Sequence, residues 1–201
     1  MTTLIQSGDL FSIPGKGLSG WANEHLTKTP AGKHTKEFHF GIIGFPIYKG
    51  EYLIDFETRE SINKGPAALR LFAQYENKPI TFYRLPGITP AQGIELVQSI
   101  STIGDKPYGY VDFLEAFFDV MRLIGYFKFP PYTAQDFKFS RNDKYICTEM
   151  AAYGCNYIGK PIEPPGYKDI WVIPTVYQQA VDEGRLLKTY SGLLTWKGIK
   201  P

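Results

Sequence analysis

Cys147 and His39 are the two side chains whose types and sequence settings suit nucleophilic thiol chemistry. A thiol becomes a useful nucleophile when an imidazole takes its proton and a third polar group orients that imidazole. A helix N-terminus helps, because unpaired backbone N–H groups and the helix dipole favour negative charge there. The same N–H groups can bind a developing oxyanion. Cys147 follows the apolar step Tyr145-Ile146 and precedes Thr148-Glu149-Met150-Ala151-Ala152, an acidic, helix-favouring first turn. Cys155 falls in the middle of the same expected helix and reads as a small buried filler.

His39 lies in Phe38-His39-Phe40-Gly41-Ile42. Strand alternation puts Phe38, Phe40 and Ile42 on one face and His39, Gly41 and Ile43 on the other. Gly41 leaves room beside the histidine for a substrate or a packed helix. The plainer alternative is a strand histidine satisfied by a backbone carbonyl. His25 and His34 sit in polar surroundings and read as solvated. On the following strand Leu53, Asp55 and Glu57 share a face. With the turn centred on Tyr48, His39 falls opposite Glu57 and diagonal to Asp55. Glu57 is the expected third member of a triad, with Asp55 as the fallback.

These side chains need elements to hold them. A short strand is expected at Gly8 to Ile13, stopped by Pro14-Gly15, and a short helix over 17–27 with Trp21 inward. Strands over 37–45 and 51–57 make a hairpin. Residues 58–65 read as a loop and 66–75 as weakly helical. A strand over 79–85 ends at Pro86-Gly87. Thr89-Pro90 opens a helix to about residue 103, with Thr89 as N-cap. Helices are expected over 110–127, 146–157 and 174–181, and a last strand over 185–189. Strands cluster early and helices late, which predicts an α+β fold, an antiparallel sheet packed against helices.

The chain has 201 residues, 43% hydrophobic and 21% charged. That suits one globular domain over 1–201 carrying an insertion at about 109–140. Formal net charge is +2 and there is no block of like charges, so nucleic acid is not an expected partner. Two cysteines are too few for a disulfide framework or a four-ligand zinc site, and no metal or cofactor is expected. Gly154 to Lys160 has the spacing of a phosphate-binding loop, but Pro161 stands where Ser or Thr should bind magnesium. No basic segment followed by an apolar run opens the sequence, and no stretch reaches the ~20 apolar residues of a membrane span. A cytoplasmic protein is expected, with export by another route or association with a particle left open.

Four stretches resemble the circularly permuted NlpC-like branch of the papain superfamily, the YiiX/YebB-type proteins. They are Gly8-Asp9-Leu10, Phe38-His39-Phe40-Gly41-Ile42, Gly104-Asp105-Lys106-Pro107-Tyr108 and Ile146-Cys147-Thr148-Glu149-Met150. The order His, acid, Cys is the permuted order. The resemblance implies a permuted papain-like fold with Cys147 as nucleophile, His39 as base, Glu57 as polar third member and the Cys147 backbone N–H as oxyanion donor. Gly41, Tyr108 and Thr148 would then line the substrate cleft. Phe38 departs from the family's small residue before the histidine, and Gly109 from its common acid. The implied reaction is cleavage of an amide, in a peptide or a peptidoglycan cross-link. Alternatives are a lipid acyltransferase or thioesterase using the same residues, and a non-catalytic part of a particle or envelope assembly. The aromatic-rich stretch 108–139 reads as core for two extra helices, or as a cleft wall or a docking surface for a protein partner.

Overall fold

The computed structural model describes residues 5–62, 65–103, 147–165 and 174–195. Strands β1 (Leu10–Pro14), β2 (Glu37–Lys49), β3 (Tyr52–Ile62), β4 (Gly65–Arg70), β5 (Pro79–Arg84) and β6 (Leu187–Leu193) form one sheet. Its order is β4-β3-β2-β1-β5-β6, with adjacent strands antiparallel. The helices are α1 (Gly17–Leu26), α2 (Leu71–Tyr75), α3 (Pro90–Ser101), α4 (Cys147–Tyr157) and α5 (Pro174–Asp182). The architecture is the expected α+β type, with an antiparallel sheet against helices.

Alternation along the strands gives the sheet two apolar faces. On one, Leu10, Phe40, Ile42 and Tyr83 meet Leu96 and Val97 of α3, Met150 and Ala151 of α4, and Val176 and Tyr177 of α5. On the other, Phe11, Ile43, Phe56 and Phe82 meet Leu71 and Phe72 of α2. Burial on both sides makes the register matter, since a one-residue slip would exchange the two sets.

The opening Gly8-Asp9-Leu10 is architectural. Gly8 has φ +86°, and a Cβ there would lie 2.5 Å from the Cα of Gly93, so only glycine lets α3 approach. Asp9 takes both arms of the Arg84 guanidinium, at 2.7 and 2.6 Å, which clamps β1 to β5. Leu10 is core. Thr89 caps α3 with Pro90 in the first turn, as the sequence predicts, and Gln92 completes a reciprocal capping box with Thr89.

Three expectations change. β3 continues to Ile62, and the segment read as loop and weak helix contains β4 before the single short helix α2. β4 is an edge strand, the place where Gly65 and Pro66 are tolerated. Trp21 points outward, 52% exposed, and stacks on His25 at 5.2 Å. The helix expected over 110–127 and the insertion at 109–140 lie outside the described residues. Among the described residues, no helix is long and apolar enough to cross a membrane.

Candidate active site

The register of the β2–β3 hairpin decides which acid meets His39. The chain turns at Gly50, which has φ +59°, and Lys49 pairs with Tyr52. β3 then spends two residues against one of β2 between Leu53 and Asp55. β2 returns the extra residue between Ile43 and Pro46. The two irregularities cancel, so Gly41 pairs with Glu60 and Glu60 lies diagonal to His39 on the same face.

Glu60 therefore occupies the position expected for Glu57. Its Oε2 lies 2.7 Å from His39 Nε2 and also accepts from the Tyr75 hydroxyl, while Oε1 accepts from Thr58 Oγ1 at 2.5 Å. Glu60 is 0% exposed. Burial alone would raise its pKa, but the hydrogen bonds from His39, Thr58 and Tyr75 outweigh it and hold the carboxyl below its ordinary value.

Glu57 faces the other way and pairs with Arg59, 2.7 Å from Nη2. Asp55, the fallback, is buried and accepts the backbone N–H groups of Phe56 and Phe72 at 2.7 and 2.9 Å. It fastens the start of α2 to β3 and does not reach His39. Both expectations fail for one reason. The turn sits further along the chain than Tyr48, and β3 outruns Glu57.

Cys147 is the first residue of α4 and is 6% exposed. Its Sγ lies 4.0 Å from the Phe38 carbonyl oxygen, and the thiol is near enough to His39 to help raise the pKa of the imidazole. The sheet is irregular at this level. Ile13 pairs with His39 but the next residue, Pro14, pairs with Glu37, so Phe38 bulges. Bulges re-aim side chains, and Pro14, lacking an N–H, cannot continue the ladder. With Nε2 committed to Glu60, Nδ1 is the ring nitrogen left for the thiol. Burial lowers the pKa of His39, but the interactions with Cys147 and Glu60 win and push it up to about 10. The ring is a quarter exposed, at 25%.

Gly41 does not open a cleft. A Cβ there would lie 2.5 Å from the Phe11 ring and 3.0 Å from Glu60 Cγ, so the space is already taken by the residues that flank the acid. Thr148 is also enclosed rather than lining a surface. Its Oγ1 is buried without a hydrogen-bond partner, and its carbonyl accepts from Tyr177 at 2.7 Å. Tyr108 lies outside the described residues. Cys155 is a free, fully buried thiol, and burial raises its pKa. His25 and His34 are exposed and bond to the carbonyls of Trp21 and Thr27.

Sequence reasoning missed Glu60, Thr58 and Tyr75. One signal was available for the first two, since Thr58 and Glu60 continue the period-two alternation of β3. Tyr75 carried none, because its approach depends on where α2 docks.

No family model and no curated relative matches the chain. Among solved structures, the chain is similar in fold to the crystal structure of metalloprotein YiiX from Escherichia coli O157:H7. The TM-score is 0.55 at 14% identity, over 94% of this chain and 98% of that one.

Proposed function

We propose that this chain is a cysteine hydrolase of permuted papain-like architecture that cleaves an amide bond, with Cys147 as nucleophile, His39 as base and Glu60 as the group that orients the base. One observation carries the reading. A thiol at a helix N-terminus lies beside an imidazole, whose pKa it helps to raise, and one nitrogen of that imidazole is held 2.7 Å from a buried carboxylate. That is the relation of nucleophile, base and orienter that acyl transfer requires.

In this reading His39 accepts the thiol proton and Cys147 Sγ attacks the carbonyl carbon. The oxyanion forms against the Cys147 N–H, which has no partner within the helix because it belongs to the first turn. The C–N bond breaks as His39 returns the proton to the leaving amine. Water then attacks the thioester, giving its proton to His39, and the carboxylic acid and the thiol are released. Glu60 keeps its charge throughout and holds the imidazole in one orientation. The substrate class proposed is a peptide or a peptidoglycan cross-link.

The neighbour is described as a metalloprotein, so the metal-binding capacity of this site matters. Among the described residues no group of three or more His, Cys, Asp and Glu is placed to hold a metal ion. Both Glu60 oxygens are already taken by protein donors. The described residues do not fit a metal at this site, and no step is assigned to one.

Iodoacetamide at neutral pH tests the chemistry. Stoichiometric alkylation of Cys147 with Cys155 untouched is expected. Release of amines from cell-wall peptide by the wild type, but not by Cys147→Ala, is expected in turn. Equal labelling of the two thiols, or full turnover by the alanine variant, would remove the proposal.

A further inference from the structure

We propose that Tyr75 is a positioning residue for this site, acting on His39 through Glu60. The inference rests on the thiol-hydrolase reading for its functional meaning, but its geometry stands alone. Tyr75 and His39 donate to the same carboxylate oxygen, Glu60 Oε2, and Thr58 donates to the other. With a donor on each oxygen the carboxylate cannot rotate, and Oε2 is fixed between the imidazole of β2 and the phenol of α2. Lying against Gly41, where a side chain would collide, the Glu60 stem is confined as well.

Three further observations fit a device that places Tyr75 deliberately. α2 is only five residues long, Leu71–Tyr75, and Tyr75 is its last. The head of α2 is tied to β3 by Asp55, through the Phe72 N–H at 2.9 Å. The Tyr75 ring packs against Phe11, the ring that fills the space over Gly41, at 5.6 Å between centroids. The phenol also stays a donor. Burial first, then the charge of Glu60, push its pKa far above the ordinary tyrosine value.

A carboxylate that loses one donor binds a proton more readily. The test is an NMR titration of the His39 ring, which senses protonation of Glu60 as a low-pH inflection. It is run in Cys147→Ala, so that no thiol contributes, with and without Tyr75→Phe. The phenyl ring keeps the packing on Phe11. The added substitution is expected to raise that inflection by about one pH unit. Thr58→Val, which strips the other oxygen, is expected to raise it likewise. An unmoved inflection in both, with only a lower melting temperature, would reduce Tyr75 to packing and overturn the inference. The alkylation profile of otherwise wild-type protein separates this from the parent reading. Selective labelling of Cys147 whose acid limb moves upward in Tyr75→Phe supports both. Absent selective labelling, the hydrolase reading fails, while the ring titration still decides whether Tyr75 governs Glu60.

Discussion

Glu60→Gln keeps the shape of the buried acid while removing its charge, and so isolates what that charge does for His39. The amide can present either an N–H or a carbonyl to Nε2, so it no longer enforces one tautomer of the ring. If the proposed hydrolase reading holds, the expected loss in turnover is roughly 10²- to 10⁴-fold, the range for removing the orienter or the base of such a site. Glu57→Gln, at the residue that pairs with Arg59 on the opposite face, is expected to change turnover by about twofold at most. Kinetics of the two variants side by side check the assignment. The same pair sets a pH signature in stability. His39 is raised from 6.5 to about 10, so its contribution is complete below 6.5 and is lost as pH rises through about 10. Glu60 is lowered from 4.5, so its contribution is present above 4.5 and is lost as pH falls through its depressed value. Both are fully present between 4.5 and 6.5. The melting temperature should peak there and decline on either side, and His39→Gln should flatten the alkaline decline.

At the scale of the elements, Gly41 and Asp55 serve the site without touching the thiol. Gly41→Ala forces a Cβ to within 2.5 Å of the Phe11 ring, which is buried and has nowhere to move. Overpacking of this kind costs about 1–3 kcal/mol. It also pushes on Glu60 Cγ, so Cys147 alkylation should slow along with the fall in melting temperature. Asp55→Ala leaves two buried backbone N–H groups without their acceptor and should cost about 1–3 kcal/mol in chemical denaturation. Asp55→Asn keeps an acceptor oxygen and should cost less. How far the sequence discloses all this follows from the same residues. The thiol and the imidazole were legible because their types are rare and each sits in a strong element, the head of a helix and an apolar strand. Glu60 was not, because Thr58-Arg59-Glu60-Ser61 looks like solvated loop by hydropathy. It is instead strand, in which Thr58 and Glu60 are buried by bonding to each other and, through Glu60, to His39. The register compounded the error. Gly50, not Tyr48, supplies the left-handed turn residue, and two cancelling irregularities leave no trace in alternation. β4 was obscured because Gly65-Pro66-Ala67-Ala68 has no β-branched residue, and only its edge position makes that composition workable as strand.

The site is assembled at the scale of the whole molecule, because its halves come from opposite ends of the chain and meet only if α4 docks on the sheet. Docking depends on Phe40, one residue from His39. Its ring lies 4.0 Å from that of Tyr177 on α5 and 6.3 Å from that of Tyr83 on β5. Tyr177 in turn donates to the Thr148 carbonyl in the first turn of α4. Cys155 reports on this docking, since it lies on α4, is 0% exposed and belongs to the same apolar cluster as Phe40. Alkylation of Cys155 requires α4 to leave the sheet, whereas alkylation of Cys147 does not. If sheet and helices form one cooperative unit, Cys155 labelling and the loss of β-sheet circular dichroism should share one urea midpoint. Phe40→Ala removes the ring that α5 and β5 share and should cost about 3–5 kcal/mol. At the ~1–3 kcal/mol per molar typical of urea, both midpoints should fall together by roughly 2 M. A Cys155 midpoint well below that of the sheet would instead mean that α4 detaches as a separate unit. The thiol and the imidazole would then be joined by a local equilibrium, and their juxtaposition would be lost before the fold.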